Sequence, residues 1–191
     1  MAAPLRTYVA LLRGINVGGK NIVSMRELAE CFRELGYRDV RTYINSGNVI
    51  FRSSAKDPRR LERRIEAALE ERFSTPIRVV VRGRDEIEAL VREVDSTWKD
   101  ESDDRRNVIF LAHEVDSERV LDGLRPKEGL ESVRYVPGAL LWSAKRDTLT
   151  RTEMLKLASR DVYKSMTIRN TNTTRRVYEL MLEAEGREAP S

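Results

Sequence analysis

The chain has one cysteine and one histidine among its 191 residues. A lone cysteine excludes an intramolecular disulfide, and one cysteine with one histidine excludes the usual four-ligand zinc set. Cys31 falls inside an apolar helical pattern, where a core or half-buried thiol is expected rather than a nucleophile. His113 stands alone, so Ser46 lacks the base that a serine hydrolase needs. Aromatic residues make up only 6%; Tyr43 and Phe51 lie on β-rich runs, but the basic-aromatic signature of base-stacking RNA sheets is missing and both are expected in the core. No apolar stretch approaches the roughly 20 residues that span a bilayer, and the N-terminus lacks the basic and apolar regions of a signal peptide. The expectation is a cytoplasmic protein without membrane contact.

An excess of one charge is also missing. The 35 basic and 31 acidic side chains leave a net +4, which permits nucleic-acid binding without indicating it. Runs such as Arg59-Arg-Leu-Glu-Arg-Arg-Ile-Glu66 are read as i,i+4 pairs on a solvated helix face. What the chain does have is 40% hydrophobic residues, sufficient for a core, and a length that allows two units of roughly 80 to 100 residues.

The pattern of those apolar residues divides the chain. Thr7 to Arg13 reads as a buried strand ending at Gly14. Ser24-Met-Arg-Glu27 is a capping box, followed by Met25, Leu28, Ala29, Phe32 and Leu35 at helical spacing until Gly36. Val40–Ile44 and Val49–Phe51 flank Asn45-Ser-Gly-Asn48, a turn composition that favours an antiparallel hairpin. Asp57-Pro58 opens a second helix carrying Leu61, Ile65, Leu69 and Phe73, and Ile77-Arg-Val-Val-Val81 is a fourth strand. The order βαββαβ is the split βαβ pattern of a ferredoxin-like domain.

The second half repeats the layout less regularly. It contains a helix through Ile87, Leu90 and Val94, a polar link from Asp95 to Asp104, and a strand at Val108–Ala112. A short helix is expected over Asp116–Leu124 and a hairpin of Val133–Val136 with Ala139–Trp142. A second capping box, Thr150-Arg-Thr-Glu153, predicts a helix with Met154, Leu157, Ala158 and Val162, and a last helix runs from about Thr174 to Glu183, with Asn172 or Thr173 as its N-cap. The fold expected is α+β, two ferredoxin-like halves with antiparallel sheets plus C-terminal helices, divided as residues 1–82 and 83–191.

The most distinctive stretch is Tyr8-Val-Ala-Leu-Leu-Arg-Gly-Ile-Asn-Val-Gly-Gly-Lys-Asn21. Gly14, Gly19 and Lys20 match phosphate-loop spacing, but Asn21 stands where Ser or Thr ligates magnesium, and the helix starts late, at Ser24. The strand ending at Ala112 offers only His113-Glu114 as an acidic partner, so nucleotide hydrolysis is not supported. Glycine N–H groups with Arg13 and Lys20 still have the chemistry of a metal-free anion site; the structural alternative is that the glycines only let the backbone turn.

Together with Arg41-Thr-Tyr-Ile-Asn-Ser-Gly-Asn-Val-Ile-Phe51 and Met166-Thr-Ile-Arg-Asn-Thr-Asn-Thr173, this stretch resembles the bacterial family called domain of unknown function 1697 over essentially the whole chain. The resemblance implies two ferredoxin-like α/β halves and no established activity. One departure is Thr171, where the family's C-terminal motif usually carries tryptophan between the two asparagines, so an aromatic contact is missing there.

The functional expectation is a non-catalytic binding module. Arg13, Asn16, Gly18, Gly19, Lys20, Asn45, Asn48, Arg169 and Asn170 are its candidate ligand residues, converging at the junction of the halves on an anionic small molecule, such as a nucleotide, or an RNA phosphate. No catalytic residue, metal or cofactor is assigned. The alternatives are a phosphoryl-handling enzyme using the Gly14–Lys20 loop, and a structural protein acting through an unidentified protein partner.

Overall fold

The computed structural model describes residues 4–19, 21–99 and 104–186. It is an α+β fold with two four-stranded antiparallel sheets. The chain forms two compact units, Met1–Ile87 with Arg175–Ser191, and Glu88–Thr174. The C-terminal segment from Arg175 is grouped with the first unit.

In the first unit the strands β1 (Arg6–Leu12), β2 (Arg38–Tyr43), β3 (Asn48–Ser53) and β4 (Val79–Gly83) lie in the order β2-β3-β1-β4. Helix α1 (Met25–Glu34) follows β1, and α2 (Pro58–Phe73) follows β3. The helices start where the sequence places them. The Ser24 hydroxyl accepts from Glu27 N, the Asp57 carboxylate accepts from Arg59 N, and Pro58 occupies the first turn, where its missing N–H is not needed. Alternate β1 residues Tyr8, Ala10 and Leu12 join Phe32, Leu61, Ile65 and Leu69 in one core. Phe51 is its aromatic centre, with ring centroids 4.6 Å from Tyr37, 5.4 Å from Phe32 and 5.7 Å from Tyr8. A ring enclosed in this way is unavailable to a base.

The charged run of α2 departs from its reading as a wholly solvated face. Glu62 Oε1 accepts from Val81 N and Glu66 Oε1 from Val79 N, both at 2.8 Å. Since β4 is an edge strand, these carboxylates satisfy N–H groups that would otherwise invite another strand.

In the second unit β5 (Arg105–Leu111), β6 (Glu131–Val136), β7 (Ala139–Ala144) and β8 (Met166–Asn170) lie in the order β6-β7-β5-β8. In chain order helix α3 (Arg84–Thr97) precedes this sheet and α5 (Thr171–Ala184) follows it, with α3 up to Ile87 and α5 from Arg175 onward counted in the first unit. The expected Asp116–Leu124 helix is a single 3-10 turn, Glu118–Leu121. The helix expected from Thr150 is broken into a 3-10 turn at Arg146–Arg151, a short α4 (Met154–Leu157) and another 3-10 turn at Asp161–Ser165. The hydroxyls of Thr148, Thr152 and Ser159 donate to Lys145 O, Leu149 O and Lys156 O, an alternative to regular helix that a capping pattern does not reveal.

Met166–Asn170, quoted above only as part of a motif, is a full strand paired with β5 from Leu111↔Met166 to Asn107↔Asn170. The helix after it begins earlier than expected, because Asn170 Oδ1 accepts from Thr173 N at 2.7 Å and does the capping assigned to Asn172 or Thr173. Among the described residues no helix is long and apolar enough to cross a membrane.

Glu131, unremarked in the sequence, organises the irregular part of this unit. Its carboxylate accepts from Trp142 Nε1 at 3.0 Å and from the backbone N–H groups of Glu153, Met154 and Lys127. Burial alone raises its pKa, but the four donors outweigh it and hold the carboxyl below its ordinary value. A depressed folded-state pKa contributes stability that is present above the unfolded value and lost as pH falls through the folded one. Glu131→Gln is therefore expected to be less stable than the parent at neutral pH, with the difference shrinking through the acid range; urea unfolding at stepped pH measures it, and a pH-independent difference would contradict this account.

Candidate functional site

The loop between β1 and α1 is pegged into the core at two points. Ile15 and Val23 are buried, whereas Val17 and Ile22 are 64% and 79% exposed. Between the pegs the loop is closed by Asn16 N donating to Asn21 O at 3.0 Å and Asn21 Nδ2 to Gly14 O at 3.1 Å.

Asn16 is the hub. Its Nδ2 donates to Val23 O at 3.0 Å and to Asn45 O at 2.9 Å, while its Oδ1 accepts from Val23 N at 2.8 Å. One amide thus ties the glycine loop to the β2–β3 turn, and Asn16 adopts the left-handed conformation, φ 55°, that asparagine tolerates better than most residues. Leu12 N donating to Gly47 O adds a backbone tie between the same segments. Gly47 is required there: at φ +77° a Cβ would lie 2.7 Å from Ile15 Cδ1 and 2.8 Å from Leu12 Cβ.

The candidate residues therefore separate by role. Asn16, Gly19 and Asn45 line a cavity of about 400 Å³ that also touches Ile22, Val23, Ser24 and Met25, at the start of α1. Gly18 and Gly19 are exposed, with φ of 58° and 73°. Asn48 is fully buried and its Nδ2 donates to Tyr43 O and Ser46 Oγ, so its amide closes the turn. Arg13 is half-buried and donates its backbone N–H to Arg78 O. Lys20 lies outside the described residues.

Arg169 and Asn170 belong to the second unit. Arg169 is 7% exposed on β8, its Nη1 donating to Thr167 Oγ1 and Ile168 O, and burial lowers its pKa to about 10. Asn170 caps α5 through its side chain. The sequence signals for glycine and asparagine were visible; that one amide makes three bonds across two segments was not, because it depends on which segments the sheet brings together.

A second, larger cavity of about 590 Å³ lies at the opposite end of β1, bordered by Arg6, Thr7, Arg52 and Lys56 and by Gly83–Glu86 at the start of α3. The sequence reading missed it. Its residues come from four separate segments, Glu185 being the fourth, and no motif joins them.

Asn16→Ala removes three hydrogen bonds and leaves alanine at positive φ, so a loss of about 2–4 kcal/mol is expected in urea unfolding. Asn16→Gly, which keeps the backbone conformation, should recover about 1 kcal/mol of that. Gly47→Ala should cost about 1–3 kcal/mol more than Gly36→Ala, which has the same sign of φ but no neighbour within 4 Å of a new Cβ. Equal losses would remove the close approach as the constraint at Gly47.

No curated protein matches the chain. Among solved structures, the conserved bacterial protein SP0830 from Streptococcus pneumoniae is similar at TM-score 0.81 and 26% identity, over 93% of this chain and 99% of that one. A crystal structure of an unknown protein from Galdieria sulphuraria matches at 13% identity and TM-score 0.28, over 87% of this chain and 98% of that one. The family described as "Protein of unknown function (DUF1697)" matches residues 5–142, a span that takes in the glycine loop, the β2–β3 turn, β5, β6 and most of β7. The chain belongs to that family.

Proposed function

We propose that the protein is a non-catalytic binding module whose glycine loop holds a phosphate-bearing ligand in the first unit. The observation that carries this reading is that Gly19, the second of two consecutive exposed, left-handed glycines, lines one cavity together with the start of α1. Helix-terminal and glycine N–H groups are a metal-free way to bind an anion, and the bonds made by Asn16 hold them in place before the ligand arrives. Among the described residues no cluster of His, Cys, Asp and Glu has the makings of a metal site, and neither this reading nor the proposed absence of catalysis calls for one.

We also take each unit to be a ferredoxin-like plait. Support comes from the two strand orders, β2-β3-β1-β4 and β6-β7-β5-β8, and from the helix placement βαββαβ in the first unit.

One observation favours a second reading. Val17, Ile22 and Ile44 are exposed aliphatics on the same two tied segments, and Ile44 holds φ 48°, a strained conformation for a β-branched residue. Such a patch suits a protein partner.

Substitution at Ile22 separates the two. It is 79% exposed and lines the cavity, so changes there leave the fold intact. With inorganic phosphate and a short RNA as probes in thermal-shift titrations, Ile22→Glu should abolish stabilisation through charge repulsion, while Ile22→Gln changes it little. No stabilisation of the parent by either probe, or equal losses in both variants, would reject the anion reading.

A further inference from the structure

The cavity at the Arg6 end of β1 is independent of the glycine loop, which leaves β1 at its other end. Thr7 and Arg52 face each other across the β1–β3 pair, so their side chains share one face of the sheet. Thr7 is 2% exposed, and its Oγ1 has no hydrogen-bond partner; the Nε–H of Arg52 is buried and equally without one. Both residues line the cavity. Buried polar groups are satisfied in the great majority of cases, and two neighbouring orphans beside the same cavity mark a missing acceptor.

The surrounding charges say what kind. Three carboxylates border the cavity, and each already has cationic or N–H partners: Glu86 accepts from Gly83 N at 2.8 Å and lies 3.6 Å from Arg82 Nε, while Asp85 and Glu185 both pair with Arg84. Arg52 reaches Asp39 through Nη1, at 3.4 Å, while its Nε–H is left without a partner. Lys56 is exposed on the rim, and Arg6 lies against the Tyr8 phenol. Basic side chains on the border, Arg6, Arg52, Lys56 and Arg84, outnumber the carboxylates by one.

We infer that this cavity binds a phosphate ester, with the phosphate oxygens accepting from the Thr7 hydroxyl and the Arg52 Nε–H and facing the Lys56 ammonium. A volume of about 590 Å³ exceeds what a bare phosphate fills and falls in the range of sites for small organic ligands. The carboxylates beyond the basic edge retain lone pairs for hydroxyl donors, which fits an ester of a polyol or sugar.

The test is titration of the full chain with inorganic phosphate and with ribose 5-phosphate, followed by backbone amide NMR. Saturable shifts at Thr7, Arg52, Lys56 and Gly83 are expected, with tighter binding of ribose 5-phosphate. Thr7→Val is nearly isosteric and removes an unsatisfied hydroxyl, so it should keep or raise Tm while weakening phosphate binding about tenfold or more, the usual effect of one hydrogen bond to a charged group. Lys56→Met, on the exposed rim, should weaken binding without affecting the fold.

Undisturbed amides at these four positions, or unchanged affinity in both variants, would overturn the assignment and leave the orphan atoms to ordered water. Equal binding of phosphate and ribose 5-phosphate would overturn the polyol part. Because the readout is by residue, shifts confined to Gly18 and Gly19 would support the glycine-loop site and reject this one, and the reverse pattern would do the opposite.

Discussion

Strand β1 carries hydrogen-bonded neighbours on both edges, β3 from Arg6↔Ser53 to Leu11↔Asn48 and β4 from Tyr8↔Gly83 to Leu12↔Val79. Residues 7 to 12 are all buried. A strand held on both edges and both faces has almost no freedom to slip, since a one-residue shift would turn Tyr8, Ala10 and Leu12 out of the core. Both candidate sites inherit their geometry from this restraint: the glycine loop leaves one end of β1, and the basic cavity is built around the other.

The two sites differ in how far they are already complete. Around the glycine loop the asparagine side chains are largely committed to the protein itself, with Asn16 joining two segments and Asn48 closing the turn. What remains for a partner is backbone and exposed aliphatic surface. Around Thr7 and Arg52 the reverse holds, because side-chain donors are buried without acceptors while the nearby carboxylates are occupied. The first site is a preorganised scaffold; the second is a set of unfinished bonds.

Edge control on β4 shows how charge can have a structural role that composition disguises. Glu62 and Glu66 sit in a run that reads as alternating surface charge, yet both accept from the β4 backbone. Glu131 plays a comparable part in the second unit, where it gathers an indole and three backbone N–H groups around the start of α4. Carboxylates such as these bond to whatever donors the fold brings within reach, and their spacing in sequence carries no trace of it.

Much of the first unit was legible from local chemistry. The capping residues Ser24 and Asp57, the apolar stripe Leu61-Ile65-Leu69 and the turn at Asn45–Asn48 act over a few residues, so the sequence by itself determined where α1 and α2 begin and where the β2–β3 hairpin turns. It also determined that a glycine loop follows β1. The second unit was less legible, because Thr148, Thr152 and Ser159 divert the backbone and Met166–Asn170 becomes a strand only by pairing with β5. Tertiary structure alone decided that Asn16 reaches Asn45 across 29 positions, that Thr7 lies opposite Arg52, and that Arg169 is buried on a strand. The physical reason is range: caps and turns are settled by bonds within one or two turns of chain, whereas the partner of a buried polar group is whichever distant segment the sheet places beside it.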